Sequence, residues 1–203
     1  MPHLPNKNDL RHLLCLDTLC FQRQTMICGL PSQKYGEESE VTIDGKLLSR
    51  YKNLLETTDL QRSYQEFIRF FRCLRTELED QLPDYKFQSD IVASAMDYSY
   101  FSFTQPQLRA NGLKFVVVFV HASFQLEIWI SGYNRKFQSF WSKQLDIPFP
   151  FIPSVDPSHT DYIARIPVPA DVCACDTVLP AVKDTLEKCV AFLAPYLTAL
   201  PEG

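Results

Sequence analysis

An acidic and an indole side chain stand two residues apart in the segment FQLEIWIS, residues 124–131. Apolar and polar residues alternate there, and a period of two is typical of a β-strand whose successive side chains point to opposite faces. Glu127 and Trp129 therefore share one face of the predicted strand. A carboxylate beside an aromatic ring can bind a cationic or hydrogen-bonding ligand, so these residues are the first candidates for a binding site.

The preceding segment, LKFVVVFVH at 113–121, is apolar along most of its length, which indicates a central strand covered on both faces. A two-residue loop at 122–123 would join the two strands as a hairpin. This pairing places Phe119 opposite Leu126 on the core face. It also places Lys114 on the second face, with the carboxylate and the indole, and makes the lysine a third candidate.

Two tyrosines in the segment DYSYFSFT, residues 97–104, complete the candidate set. The aromatic content predicts a strand in which Tyr98 and Tyr100 share one face. The irregular connection at 105–112 leaves the register open, so the sequence does not decide which face turns toward Trp129. If the face with the tyrosines turns toward Trp129, the result is an aromatic concavity with one carboxylate.

A proline-rich stretch, residues 146–159, is long for a connection and is expected to pack over the sheet or to act as a lid. Our hypothesis is that this stretch closes over a ligand or partner site lined by Glu127 and Trp129. The alternative is that the second face is ordinary packing, in which Lys114 and the tyrosine hydroxyl groups satisfy the carboxylate.

Composition argues against several functional classes. A formal net charge of −4 makes nucleic acid an unexpected partner, and the apolar run FVVVFV is too short to cross a membrane. Seven cysteines with one close pair, Cys173 and Cys175, fit a reducing cytoplasm better than a disulfide framework or a zinc site. No nucleophile or glycine loop has the spacing of a known catalytic motif. We therefore predict no catalytic residue, no metal, no cofactor and a cytoplasmic location.

Helical periodicity accounts for most of the remaining chain. Apolar stripes predict two helices, at 46–56 and 59–82, which form a core hairpin before the strands. Asn134 can cap a helix after the third strand, 161–168 is a fourth strand, and the tail from about residue 177 is a last helix. The predicted order is α-α-β-β-β-α-β-α, an α+β fold with a three-stranded antiparallel meander.

We expect a single domain over residues 45–203, preceded by an N-terminal appendage, 1–44, that is weakly ordered or docked on it. The segments MDYSYFSFT, LKFVVVFVH and EIWISGYNRKFQSFW give the stretch from about 46 to 198 its resemblance to an uncharacterised bacterial family. That family is the domain of unknown function numbered seven thousand. The resemblance implies no known activity.

The expected function is a non-catalytic module that binds a small molecule or a protein, because the candidate face is aromatic rather than rich in carboxylates. The alternative is a degenerate or divergent relative of the PD-(D/E)xK nucleases, which share the α-β-β-β-α-β order, or another enzyme with a phosphate-containing substrate. Nuclease chemistry of this type needs an acid on the second strand and an acid-x-lysine on the third. The predicted second strand has no acid, and Glu127 is followed by Trp129 where lysine belongs.

Overall fold

The computed structural model describes residues 43–197. Its fold is α+β, as expected, and its helices stand before, between and after the strands of an antiparallel sheet. The elements in chain order are α1 Gly45–Thr57, α2 Leu60–Gln81, β1 Lys86–Ser94, β2 Tyr98–Thr104, α3 Pro106–Ala110, β3 Leu113–Val120, β4 Gln125–Gly132, α4 Arg135–Gln144, β5 Ile152–Pro153, β6 Ala164–Pro167 and α5 Cys175–Leu197. The expectation of an appendage falls almost wholly outside the described residues.

The chain divides into two units, of which the second begins at Ser49. The sheet, the helices from α2 onward and the candidate site belong to the second unit. None of the helices in the described part of the chain is long and apolar enough to cross a membrane.

Within residues 43–197, six strands form one sheet in the order β1-β2-β3-β4-β6-β5, and neighbouring strands are antiparallel. The predicted hairpin register is confirmed, since Phe119 lies opposite Leu126. The loop is longer than predicted: it spans 121–124, and its last residue, Phe124, has a φ of 53°. Because the loop takes one extra residue from each strand, the register does not change.

Helices α2 and α5 cover one face of the sheet, which we call the core face. Apolar residues recur on α2 every three or four positions, so that Phe71, Leu74 and Leu78 are buried together. The strands contribute large apolar side chains to the same core, among them Phe101, Phe103, Phe115, Phe119, Ile128 and Ile130. Removing this surface from water stabilises the fold by roughly 25 cal/mol per Å².

The first helix is not part of the core. Its apolar stripe predicts a hairpin with α2 inside the core, yet no residue of α1 is buried. The large apolar side chains of the stripe are exposed, namely Leu47, Leu48, Tyr51, Leu54 and Leu55. Helical spacing indicates a helix with an apolar face, but it does not specify the surface that this face meets. The prediction of the helix is correct and the prediction of its burial is wrong.

The sequence pattern misses β1, α3 and β5. Polar and apolar residues mix in β1, KFQSDIVAS, and its pairing with β2 shifts between Gln88 and Val92, so no clean period of two is visible. The helix α3 has five residues and begins at Pro106, and β5 has two residues inside the proline-rich stretch. Elements this short or irregular carry too little periodicity to be recognised.

Candidate functional site

The face of the sheet opposite α2 and α5 carries all the predicted site residues. Strand pairing places Tyr100 beside Val118, and Val118 beside Glu127, so the tyrosines lie on the same face as the carboxylate. The ring centroids of Tyr98 and Trp129 are 5.6 Å apart in an edge-to-face contact. This decides the register that the sequence leaves open. We call this surface the open face; it carries Tyr98, Tyr100, Lys114, Glu127 and Trp129.

A concave pocket of about 620 Å³ lies on the open face, and we call it the open-face pocket. Four of the five predicted site residues line it, whereas Glu127 does not. Its floor includes Val116 and Val118 of the central strand β3, both of them buried. The aromatic side chains of its lining are Tyr98, Tyr100, Trp129 and Tyr133.

Glu127 is buried, with 3% of its surface exposed, and donors from two neighbouring side chains satisfy it. The indole Nε1 of Trp129 donates to Oε2 at 2.6 Å, and Nη1 of Arg165 donates to Oε1. The carboxylate and the indole of the EIW segment thus form a hydrogen bond with each other. The expectation that Lys114 and tyrosine hydroxyl groups satisfy the carboxylate is wrong.

Arg165 reaches the carboxylate because β6 pairs with β4. The register puts Arg165 directly opposite Trp129, on the open face. Its guanidinium carbon lies 5.6 Å from the ring centroid of Tyr162, and that ring is 5.0 Å from the indole. The two rings thereby flank the ion pair. The sequence predicts a strand at 161–168 but not its register against β4. Without that register, the alternation of residues along the strand does not identify the arginine as the partner of Glu127.

Lys114 makes no ion pair with any of the described residues, although it lines the pocket. Its Nζ lies 6.0 Å from the ring centroid of Tyr133. Burial lowers the pKa of Lys114, and the carboxylate of Asp161 opposes this shift in part. That carboxylate has a closer partner, because its Oδ1 is 2.8 Å from Nη2 of Arg135. Among the residues that the structure describes, the half-buried ammonium group of Lys114 therefore has no ion-pair partner of its own, and Asp161 compensates it only in part.

The start of α4 forms another part of the wall. Gly132 ends β4, and the side chain of Asn134 accepts a hydrogen bond from the N–H of Phe137 at 3.1 Å, as a helix cap does. A Cβ on Gly132 would lie 2.5 Å from the backbone nitrogen of Gln138, so only glycine allows the strand and the helix to meet this closely. The cap predicted at Asn134 is confirmed, and it brings the beginning of α4 into the pocket lining.

The proline-rich stretch 146–159 does not close over the pocket. The described lining contains none of its residues. Phe151 packs instead against Phe192 of α5, with ring centroids 4.6 Å apart, and Ile152–Pro153 extend the sheet as β5. Because the burial of Phe151 anchors this stretch to the core, the hypothesis that it acts as a lid over the pocket does not hold.

A family model described as Domain of unknown function (DUF7000) matches residues 45–194, which is most of the chain. The chain belongs to this family. The resemblance expected for about 46–198 is thereby confirmed. No curated protein and no solved structure matches the chain.

The strands of this DUF7000 domain lack the acidic residues that the nuclease alternative requires. Because β1 precedes the tyrosine strand, the second and third strands after the helical pair are β2 and β3. Their sequences, YSYFSFT and LKFVVVFV, contain no acidic residue. Glu127 lies on the fourth strand and is paired with Arg165. The predicted order of elements is similar to that of the nucleases, but within the described residues four strands precede α4, and the second and third of them lack the acids that hold the nuclease metal.

A second polar pair of the DUF7000 domain lies at the margin of the core. Ser99 is fully buried, and its Oγ is 2.9 Å from Nε2 of His121. The imidazole packs on the rings of Phe67 and Phe119, with centroid distances of 5.0 and 4.9 Å. Burial lowers the pKa of His121, and Asp97 opposes the shift in part. Because the hydroxyl group is shielded from solvent, this bond satisfies a buried serine and does not activate a nucleophile.

The remaining polar candidates are local features. In an exposed turn, Nδ1 of His159 is 2.8 Å from Oδ2 of Asp156. Hydrogen bonds, chiefly from the Ser158 side chain, lower the pKa of Asp156 to about 2. Cys173 and Cys175 are exposed free thiols. In the range that the structure describes, no group of three His, Cys, Asp or Glu side chains is arranged to hold a metal ion.

Proposed function

We propose that this domain is a non-catalytic binding module that holds a small organic molecule in the open-face pocket. The observation that carries the proposal is the pocket itself, about 620 Å³ in volume, with aromatic rings around a valine floor. Sites for small molecules are typically roughly 300–1,000 Å³, mostly apolar and aromatic, with a few placed polar groups. The open-face pocket has this size, and its lining combines four aromatic rings and three valines with polar and charged side chains.

The rings of the pocket are held in place by contacts within the protein. Trp129 donates its hydrogen bond to Glu127, and Tyr98 packs edge-to-face on the indole. The hydroxyl oxygen of Tyr133 accepts a hydrogen bond from Nε2 of Gln88 at 2.6 Å. A pocket whose side chains are already fixed loses little conformational entropy when a ligand binds. This pre-organisation supports the binding of a small and rigid molecule.

The groups around the cavity favour binding over catalysis. The lining, as far as the structure describes it, contains no histidine, cysteine or glutamate. The hydroxyl group of Ser131 donates to the backbone oxygen of Asp161 at 2.7 Å, so no adjacent base takes its proton. The other polar groups of the lining are hydroxyl groups, amides, two cations and the carboxylate of Asp161, which can orient a ligand by hydrogen bonds while the rings hold it by packing.

A fragment screen by thermal shift and NMR tests the proposal. We expect compounds with one or two rings to raise the melting temperature of the wild type, because a ligand that binds the folded state stabilises it by mass action. Tyr98→Ala and Tyr100→Ala each remove one ring of the lining and should weaken the binding of those compounds about tenfold. Tyr51→Ala is the matched control, since Tyr51 is an exposed tyrosine outside the lining.

The control variant should bind the compounds as the wild type does. Tyr98 and Tyr100 are both partly exposed, so the pocket variants should fold, and circular dichroism verifies this. Equal affinity for the wild type and both pocket variants would place the site elsewhere and contradict the proposal. A diverse library from which no compound binds the wild type at millimolar concentration would contradict it as well.

A further inference from the structure

The charges of the open-face pocket define the ligand more narrowly, on the premise that the proposed function holds. Its charged lining residues are Lys114, Arg135 and Asp161, so that two cations and one anion leave a net charge of +1. We infer that the ligand is an organic anion: a flat ring system that carries a carboxylate or phosphate group, with this group bound by Lys114. The sequence places Glu127 in the site and so favours a cationic or hydrogen-bonding ligand instead.

Glu127 does not contribute its charge to the cavity. It lies outside the lining, and its two oxygens accept hydrogen bonds from Trp129 and Arg165. An ion pair that is formed within the protein presents no net charge to a ligand nearby. The carboxylate therefore orients the indole and does not attract a cation.

The second ion pair of this region joins Arg135 and Asp161, so that Lys114 is the charged lining residue with no ion pair to any described residue. Arg135 and Asp161 are 2.8 Å apart, and Nη1 of the same arginine donates to the backbone oxygen of Thr160. The ammonium group of Lys114 is half-buried and has lost part of its hydration, which is why its pKa is lowered. A charged group in this condition gains most from a charge-assisted hydrogen bond to an anion.

The spacing of the residues along β3 sets the distance between the ring of the ligand and its acidic group. Lys114, Val116 and Val118 follow one another on the open face at intervals of two residues, or about 7 Å per step. Trp129 pairs with Val116, one step from the lysine. Tyr100 pairs with Val118, two steps from it. A ring lying beside Trp129 places its acidic group roughly one step, about 7 Å, from the ring centre.

A cationic ligand of the same shape does not fit this arrangement. Its ammonium group would lie beside Lys114, and the carboxylate of Asp161 is already bound to Arg135. Like charges in a partly desolvated site repel more strongly than they do in water. The rings alone could hold such a ligand by cation–π contact, but the lysine opposes it.

A matched series of indole compounds tests the inference. Indole-3-propionate, its neutral amide and tryptamine share the ring and differ in charge, and their affinities can be measured by NMR titration. We expect the acid to bind about tenfold more tightly than the amide, and the amine to bind more weakly than the amide. An arm with 1-naphthyl phosphate, compared with 1-naphthylacetate, distinguishes phosphate from carboxylate as the preferred anion.

Variants at the lysine separate charge from packing. Lys114→Met keeps an apolar stem of similar length and should reduce the affinity for the acid about tenfold, to that of the amide, while the affinity for the amide stays the same. Lys114→Arg retains the charge and should retain the preference for the acid. Lys86→Met is the control, because Lys86 is an exposed lysine of the same sheet outside the lining.

The outcomes distinguish this inference from the proposed function. Equal binding of acid, amide and amine, lost in Tyr98→Ala, would overturn the inferred charge and leave the binding function intact. A preference for the acid that persists in Lys114→Met would also overturn it, since the anion would then lie elsewhere. If none of the anions binds while a neutral fragment does, the inference fails alone. If no compound and no fragment binds, both fail.

Discussion

Adjacent residues of one strand belong to two very different surfaces. Phe101 points into the core face and is 1% exposed, whereas its neighbour Tyr100 lies on the open face and is 36% exposed. Both side chains are flat and apolar over most of their area. They differ in the hydroxyl group. They also differ in their cover, because α2 and α5 pack over the core face, whereas, of the described helices, only the start of α4 borders the pocket on the open face.

Burial on one face and exposure on the other have different energetic consequences. The rings of the core face contact α2 and α5 and lose all their exposure when the chain folds. The rings of the open face keep one polar end in water, so that an empty pocket costs the fold little free energy. Substitutions on the core face should therefore change the free energy of unfolding, and substitutions on the open face should change affinity.

The largest expected effect is that of Phe101→Ala. Phe101 contacts the rings of Phe71 and Phe87, and its loss leaves a cavity in the core, so we expect a decrease in the free energy of unfolding of about 3–5 kcal/mol. Tyr100→Ala, one residue away on the open face, should cost about 1 kcal/mol or less. Chemical denaturation measures both. Similar losses for the two variants would remove the distinction between the faces.

The next effect tests whether the ion pair on the open face is structural. Glu127→Gln keeps an acceptor for the Trp129 indole but leaves Arg165 without its carboxylate, and we expect a loss of about 2 kcal/mol in the free energy of unfolding. The value is lower than for a wholly buried pair because 30% of the Arg165 side chain is exposed and can be hydrated.

A double-mutant cycle with Arg165→Met provides the control for this prediction. If the two residues act as a pair, the double variant should be more stable than the sum of the single losses implies. Additive losses would show that the pair contributes nothing beyond its parts. If Glu127→Gln is as stable as the wild type, the charge of the carboxylate has no structural role. Glu127 would then again be a candidate for binding a ligand.

The smallest effect concerns pH at the margin of the core face. The pKa of His121 is lowered by burial from its ordinary value of 6.5, so the unfolded state binds a proton at a higher pH than the folded state does. Stability is therefore lost as the pH falls below this value. We expect the free energy of unfolding to decrease more between about pH 7 and pH 5 in the wild type than in His121→Gln. Parallel pH profiles for the two proteins would contradict this.

The sequence determines the central hairpin because two independent signals agree there. Alternation in 124–131 fixes which residues share a face, and the short loop fixes which residues are paired. Even with two more residues in the loop, the pairing of Phe119 with Leu126 remains. For this reason Lys114 and Trp129 could be assigned to one face, and they do line one pocket.

The features that could not be predicted depend on pairing between distant segments. Arg165 is 38 residues from Glu127, and the irregular chain between them gives no count that relates β6 to β4. Tyr133 and Arg135 enter the lining because Gly132 permits a tight turn into α4, which is a three-dimensional fit and not a periodic pattern. The net positive charge of the lining depends on Arg135, whereas the sequence led us to expect a cationic or hydrogen-bonding ligand beside Glu127.

The two edges of the sheet affect how this domain behaves at high concentration. The ladder of β1 is interrupted between Gln88 and Val92, and β5 at the other edge has two residues, the second of which is Pro153. A free, regular strand edge can add a strand from another copy and so begin a fibril. A bulged edge mismatches such a strand, and proline offers it no N–H group. Crowded copies of this sheet should therefore resist edge-to-edge aggregation, even though one of its faces is aromatic and open.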